Sequence, residues 1–249
     1  MNYIRVATTD DIQGPAVAAY AFAQGKKAVY VVDDTEVYGK GIADAFAAKF
    51  AELGGTVLGR DAADPKTTDF TAIVAKAAAA KPDSVFYGGV TSSGAGLFRK
   101  AMIQAGLNVA LYGGDGIQDG TGEGSYIAIA GDAAANSFSS VAAIHDIPAA
   151  ADFAAKYKAA YNEDPGAYSA SGYACAQVII EAIKVAAKAG AVTREAVRDA
   201  ATKAGVTYST VLGDLGFDEN GDTTQKIISL YKVENGDWVF DSQIDYAQQ

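Results

Sequence analysis

Between residues 13 and 140, short apolar runs alternate with longer amphipathic stretches. The runs "AVYVV", "SVFYGG" and "ALYGG" are continuous and apolar, which is typical of parallel strands buried on both faces. The stretches between them carry apolar residues at helical spacing and end at glycine or just before proline. This alternation predicts an α/β fold: a doubly wound, mostly parallel, Rossmann-like sheet with helices on both faces.

The pattern changes after residue 147. Three helical stretches follow one another between residues 148 and 204, and no strand separates them. The segments "KIISLYKV" and "DWVF" then predict a β-hairpin. A helical insertion between two β-containing segments indicates a chain that leaves one domain and later returns to it. We therefore predict an α/β lobe formed by residues 13–140 and 211–249, and a mainly helical part formed by residues 1–12 and 147–210.

Composition narrows the class of function. The 249 residues carry a net charge of −10, which argues against partners such as nucleic acid or an anionic membrane surface. No uninterrupted apolar run reaches the roughly 18 residues that span a bilayer, and from the residues after Met1 we expect no signal peptide. With a single cysteine, Cys175, and a single histidine, His145, an internal disulfide is excluded, and zinc or Ser–His–Asp chemistry is disfavoured. We expect no enzymatic activity, no cofactor and no bound metal.

Asp33 and Asp34 directly follow the first apolar run. A phospho-receiver domain needs another aspartate at the end of its third strand, where this chain has "YGGV". A magnesium site needs further carboxylates on neighbouring strand ends, and only Asp115 qualifies. We therefore expect the two aspartates to organise the turn, with Asp34 or Thr35 capping the helix that begins near Val37.

The loops that follow three of the strands carry the candidate binding residues. Open α/β sheets bind ligands at the carboxyl ends of their strands, beside the point where strand order reverses. With the order 2-1-3-4-5, the strands at 28–32, 84–88 and 110–113 are neighbours. Their exit loops then bring together an aromatic ring, an aliphatic side chain, hydroxyls and one carboxylate: Tyr38, Val90, Thr91, Ser92 and Asp115. This set contains no nucleophile and no acid–base pair, and it suits a small cationic or zwitterionic molecule.

Several segments carry a family resemblance: "TTDDIQGPAVAAYA", "VVDDTEVYGKGIADAF", "DPGAYSASGYACAQVIIEAI" and "GFDENGD". Together they resemble the branched-chain amino-acid class of solute-binding proteins, which serve ABC transporters and have the type I periplasmic-binding-protein fold. The resemblance implies two lobes with the ligand held between them. It also implies a small amino acid or related amide as ligand, ABC permease subunits as partners, and a periplasmic or cell-surface, extracytoplasmic location.

The resemblance also implies roles for individual side chains. Tyr38 resembles an aromatic wall against the ligand, Asp115 takes the place of an acidic partner of the ligand's ammonium, and Tyr168 resembles an aromatic residue at the edge of the cleft. Val90 stands where some members carry an aromatic residue, which implies a wider or reshaped pocket.

The resemblance also implies that the chain lacks the N-terminal part of the family's first lobe. The helices between residues 148 and 204 would then expose apolar residues such as Ile179, Ile180 and Ile183, from which we expect either a homodimer or a rearrangement. Two alternatives to a transport protein stay open: a ligand-sensing regulatory module of the same fold, and a natural or engineered single-lobe fragment that no longer binds ligand.

Overall fold

The structure, a computed structural model, describes residues 3–246. Within these residues the α-helices are, in chain order, α1 (Asp10–Ala23), α2 (Val37–Glu52), α3 (Thr71–Ala80), α4 (Ala95–Gln104), α5 (Tyr126–Ala130), α6 (Phe153–Tyr161), α7 (Ser169–Lys188) and α8 (Arg194–Ala201). The strands are β1 (Ala28–Asp33), β2 (Thr56–Ala62), β3 (Ser84–Gly88), β4 (Ala110–Gly113), β5 (Ser137–Val141), β6 (Tyr208–Thr210), β7 (Gly213–Leu215), β8 (Ile227–Glu234) and β9 (Asp237–Asp245).

The chain forms two compact units. The described part of unit 1 comprises residues 3–9, 143–227, 245 and 246, and unit 2 comprises residues 10–142 and 228–244. The sequence pattern predicted residues 211–227 in the α/β lobe, whereas their contacts group them with unit 1. The physical reason is packing, because Leu212 and Leu215 are buried in one apolar cluster with Val178 of α7.

Unit 2 is built on a seven-stranded sheet in the order β2-β1-β3-β4-β5-β8-β9. The first five strands pair in parallel, and β8 runs antiparallel to β5. Between β8 and β9, Asn235 and Gly236 both have left-handed φ values of 52° and 78°, as a two-residue type I′ hairpin turn requires. The predicted doubly wound α/β sheet, its 2-1-3-4-5 strand order and the final hairpin are confirmed.

Helices cover both faces of this sheet, because consecutive residues of a strand point to opposite sides. On β3, Phe86 stacks on Phe46 of α2 with ring centroids 4.0 Å apart. The next residue, Tyr87, stacks on Phe98 of α4 at 5.3 Å. These rings fix the depth at which α2 and α4 lie against β3, and so they position the loops at the strand's carboxyl end.

Unit 1 contains the three predicted helices, α6 to α8, together with a small antiparallel pair, β6 and β7, that the sequence did not reveal. Each of these strands has three residues, too few to give a periodic signal. The central helix, α7, buries Ala170, Ala174 and Val178, which recur every four residues and form one stripe.

By length and mean hydropathy alone, α7 could cross a membrane. The helices that form the core of a unit pass the same test, and 33% of this stretch is buried. The helix also carries an ion pair, Glu181 with Lys184. Its other side exposes Ile179, Ile180 and Ile183, as the sequence analysis expected. We therefore treat α7 as the central helix of unit 1 with one uncovered apolar side.

Candidate functional site

Three loops of unit 2 leave the sheet at the carboxyl ends of adjacent strands. We call them the β1 exit loop (residues 34–36), the β3 exit loop (residues 89–94) and the β4 exit loop (residues 114–118). Because β1 lies between β2 and β3, the chain reverses its direction of travel across the sheet at this point. Such a switch point is where open α/β sheets place their ligands.

A tyrosine from α2 is joined to the carboxylate of the β4 exit loop. The Tyr38 hydroxyl donates to Oδ1 of Asp115 at 2.9 Å and accepts from the backbone N–H of Gly116 at 3.2 Å. Burial, followed by the neighbouring carboxylate of Asp115, raises the pKa of Tyr38 far above its ordinary value. The hydroxyl therefore stays protonated and keeps donating to Asp115 at physiological pH.

Two glycines of the β4 exit loop let the Tyr38 ring approach. A methyl group built on Gly114 would lie 2.4 Å from the Tyr38 hydroxyl oxygen. On Gly116 it would lie 3.0 Å from Cε1 of Tyr38 and 2.8 Å from Cγ1 of Val90. Gly116 therefore lies between Tyr38 and Val90, and a side chain at either glycine would push the loops apart.

A second side chain, Gln13 of α1, also binds the site carboxylate. Its Nε2 atom donates to Asp115 Oδ1 at 3.2 Å, to the Ser140 carbonyl at 3.2 Å and to Ser140 Oγ at 3.0 Å. Gln13 is 1% exposed, so these contacts satisfy an amide that would otherwise be costly to bury. Gln13 is not among the site residues predicted from the sequence. The signal available in the sequence was a polar residue on the otherwise apolar side of α1. Gln13 is the first buried residue of that helix.

The two aspartates after β1 organise the turn, but neither caps α2. Asp33 accepts the Thr35 N–H, and Asp34 accepts the Glu36 N–H. The residue at the helix N-cap is Glu36, which makes no side-chain capping bond. The predicted capping role of Asp34 or Thr35 is thus wrong, because the carboxylates bond within the loop and Thr35 adopts a left-handed φ of 64°.

Asp33 and Asp34 also bind different partners. Asp33 Oδ2 accepts from Nη2 of Arg60 at 2.7 Å and from Nε at 3.0 Å, and this links β1 to β2. The same guanidinium contacts Asp44 of α2. Asp34 instead turns toward the β3 exit loop, where its Oδ2 accepts from the Ser93 hydroxyl at 2.7 Å. The charge of Asp33 is therefore neutralised by Arg60, on the β2 side.

The candidate residues of the β3 exit loop lie in different environments. Val90 is half-buried, Thr91 is buried with its hydroxyl 3.5 Å from the Gly116 carbonyl, and Ser92 is exposed. The structure thus gathers Tyr38, Val90 and Asp115 around Gly116, with Thr91 nearby. Tyr168 belongs to unit 1, where it precedes α7 and is 37% exposed.

Among residues 3–246, no three histidine, cysteine, aspartate or glutamate side chains are grouped to hold a metal ion. Cys175 is half-buried, and burial raises the pKa of its thiol, which keeps it in its poorly nucleophilic form. The site at the sheet edge is therefore an array of hydrogen-bonding groups around one carboxylate.

Comparison with known proteins gives consistent matches. A profile described as "periplasmic binding protein" matches residues 1–237. The Leu/Ile/Val-binding protein BraC3 of Rhizobium johnstonii is 32% identical over 236 residues, 94% of this chain and 62% of that protein. A Leu/Ile/Val-binding protein homolog of Brucella melitensis is 32% identical over 250 residues, 100% of this chain and 64% of the relative.

A solved structure agrees in fold along nearly the whole chain. The leucine binding protein LivK of Thermotoga maritima superposes with a TM-score of 0.85 at 29% identity, covering 99% of this chain and 69% of that chain. The matched proteins are solute-binding proteins rather than enzymes. This chain spans 62% and 64% of the length of the two curated relatives.

Proposed function

Because the chain belongs to the periplasmic binding protein family, we propose that it is the solute-binding component of an ABC transporter for a small amino acid of the leucine, isoleucine and valine type. The observation that carries this proposal is the Asp115 carboxylate, bonded by Tyr38 and Gln13 at the switch point of the sheet. Family membership implies an extracytoplasmic location, and the permease subunits of the transporter are the partners proposed with it.

The ligand's ammonium is proposed to bind Asp115. Oδ1 of this carboxylate accepts from Tyr38 and Gln13, two neutral donors that fix its orientation. A charge-assisted hydrogen bond from an ammonium is about twice as strong as a neutral one. The half-buried ring of Tyr38 is proposed to shield this position from water, and such shielding strengthens the attraction.

The ligand's side chain is proposed to lie against Val90, with the hydroxyls of Thr91 and Ser92 available for polar contacts. Val90 is half-buried beside Gly116 and has no polar group of its own, so it favours an apolar side chain. Tyr168, which belongs to unit 1, remains a predicted aromatic contact of the ligand.

Titration calorimetry with L-leucine tests the function. Two analogues serve as probes: 4-methylpentanoate, which lacks the ammonium, and leucine methyl ester, which keeps it. We expect leucine to bind and 4-methylpentanoate to bind about 30-fold more weakly or not at all, because it lacks the ammonium that is proposed to bind Asp115. Equal affinity for leucine and 4-methylpentanoate would refute ammonium recognition by Asp115.

If leucine, isoleucine and valine all fail to bind the 249-residue chain, the proposal fails for this chain. The same titration on a protein of the relatives' full length then separates a wrong ligand from an incomplete site. Binding by the longer protein alone would support the fragment interpretation.

The uncovered side of α7 is proposed to pair with a second copy of the chain. Ile179, Ile180, Ile183 and Val185 are between 40% and 55% exposed, and Ile179 and Ile183 line an apolar groove of about 490 Å³ with Val192.

Sedimentation velocity over a concentration series should show dimers that Ile183→Glu disrupts. A parent that stays monomeric at every concentration would contradict self-association. It would favour covering of this face by the additional polypeptide that the relatives carry.

A further inference from the structure

The β1 and β3 exit loops are joined by one buried hydrogen bond. The Ser93 hydroxyl donates to Asp34 Oδ2 at 2.7 Å, and the two residues are 3% and 1% exposed. The residues are 59 positions apart. A buried bond to a carboxylate is among the stronger hydrogen bonds in a protein, since removing either partner leaves the other desolvated and unpaired.

Ser93 also shapes its own loop. Its Oγ accepts the Val90 N–H at 3.1 Å, and its backbone carbonyl accepts from the Tyr87 hydroxyl at 2.7 Å. The Ser93 proton has two acceptors within reach, the Val90 carbonyl at 2.9 Å and the Asp34 carboxylate. The carboxylate is the nearer and the more basic acceptor. The side chain of Ser93 therefore closes the turn that carries Val90 and is tied through Asp34 to the end of β1.

The Asp34 carboxylate has little freedom to move. A methyl group on Gly39 of α2 would lie 2.1 Å from its Oδ1, and one on Gly89 would lie 2.6 Å from its Oδ2. The backbone N–H of Asp34 donates to the Gly88 carbonyl at 3.0 Å. The carboxylate thus lies between the first turn of α2 and the end of β3, where it fixes their separation.

We propose that Asp34 is a positioning residue that sets, through Ser93, the place of Val90 opposite Tyr38 and thereby the size of amino-acid side chain that the site accepts. The link to the site is Gly116, which lies between Val90 and Tyr38. This inference rests on the proposed function, since it concerns ligand selectivity. A shift of the β3 exit loop would move Val90 without touching Asp115, so it should alter discrimination between side chains more than recognition of the ammonium.

The test compares Ser93→Ala, Asp34→Asn and the double variant with Asp33→Asn as the matched control. Asp33 is a neighbouring strand-end carboxylate whose salt bridge goes to Arg60 instead. Asp34→Asn puts an amide opposite two donors, the Glu36 N–H and the Ser93 hydroxyl. The amide accepts a hydrogen bond through its oxygen but not through its NH2 group. The probes are L-valine, L-leucine and L-phenylalanine, titrated by calorimetry.

We expect Ser93→Ala and Asp34→Asn to change the leucine-to-valine or the leucine-to-phenylalanine affinity ratio by about fivefold or more, and the double variant to change it no further. Asp33→Asn should keep both ratios within about twofold of the parent, although it lowers the melting temperature. A folded Ser93→Ala protein with unchanged affinity ratios would overturn the proposal, because the bond would then only stabilise the protein.

A second measurement needs no ligand and so separates this inference from the proposed function. Amide hydrogen exchange followed by NMR should show Val90 exchanging about tenfold faster or more in Ser93→Ala and in Asp34→Asn, with shifted Gly116 resonances, and neither change in Asp33→Asn. If the parent binds none of the probes, these exchange rates decide the positioning role alone. Unchanged exchange at Val90 would refute it.

Discussion

The Tyr38 hydroxyl donates a 2.9 Å hydrogen bond to Oδ1 of Asp115, a residue 77 positions later in the chain. The bond joins the first turn of α2 to the β4 exit loop. It fixes the direction of the Asp115 carboxylate. A site that recognises a cation benefits from such an arrangement, because the acceptor is oriented before the ligand arrives.

Asp115→Ala should abolish or strongly weaken amino-acid binding. Truncating one partner of a desolvated charge pair costs about 2–5 kcal/mol, which corresponds to roughly 30-fold or more in affinity. Calorimetry with L-leucine measures this loss. Asp33→Ala is the control: its charge is paired with Arg60, so we expect nearly unchanged affinity and a loss of about 1–3 kcal/mol in the free energy of unfolding. A larger affinity loss for Asp33→Ala would place the ligand on the other side of β1.

Tyr38→Phe removes one hydroxyl that both donates to Asp115 and accepts from Gly116. We expect leucine affinity to fall about tenfold, because Asp115 loses an orienting donor and keeps Gln13, and the free energy of unfolding to fall by about 1–3 kcal/mol. Tyr30→Phe is a matched control, since the Tyr30 hydroxyl donates to Asp61 of β2. It should lower stability without changing affinity, and equal affinity losses for both variants would contradict the role given to Tyr38.

Two glycines in α2, Gly39 and Gly41, should respond in opposite directions to alanine. A methyl group on Gly39 would meet Asp34 Oδ1 at 2.1 Å and the Gly88 carbonyl at 2.5 Å, whereas one on Gly41 would meet nothing within 4 Å. Gly39→Ala should therefore destabilise the protein by about 1–3 kcal/mol. Gly41→Ala should stabilise it by about 0.5–1 kcal/mol through its helix propensity. Urea unfolding monitored by circular dichroism measures both, and a stable Gly39→Ala protein would show that α2 can move away from β3.

Alkaline pH should unfold the protein through its buried tyrosines. Burial is the first cause that raises the pKa of tyrosines in both units, to about 12 for Tyr30 and Tyr126. Burial also raises the pKa of Tyr20, Tyr38, Tyr87, Tyr112 and Tyr208. Because the folded pKa exceeds the unfolded one, this contribution to stability is complete below about pH 10 and is lost as pH rises further.

Near-ultraviolet absorbance of tyrosinate, measured beside circular dichroism, checks this expectation. We expect the tyrosinate signal of the buried tyrosines to rise above about pH 10 and to coincide with loss of the helical signal. A single step near pH 10 for all 14 tyrosines, with the fold intact, would show that burial does not hold these hydroxyls protonated.

The sequence determined the α/β sheet, and with the common strand order 2-1-3-4-5 assumed it also predicted that Tyr38, Val90 and Asp115 lie at one edge of that sheet. Continuous apolar runs and helical spacing specify these elements locally, and parallel strands necessarily end at one edge. The family resemblance drawn from the same residues is confirmed by the profile match over residues 1–237.

Only the tertiary structure decided which polar groups join the loops at the carboxyl edge of the sheet. Gln13 reaches Asp115 across 102 positions, and Asp34 reaches Ser93 across 59. Nothing in the spacing of hydrophobic residues encodes such pairs, because a buried polar side chain is satisfied by whatever acceptor the packed elements bring within about 3 Å. The same holds for residues 211–227, whose short strands give no periodic signal and whose place in unit 1 depends on burying Leu212 and Leu215 against α7.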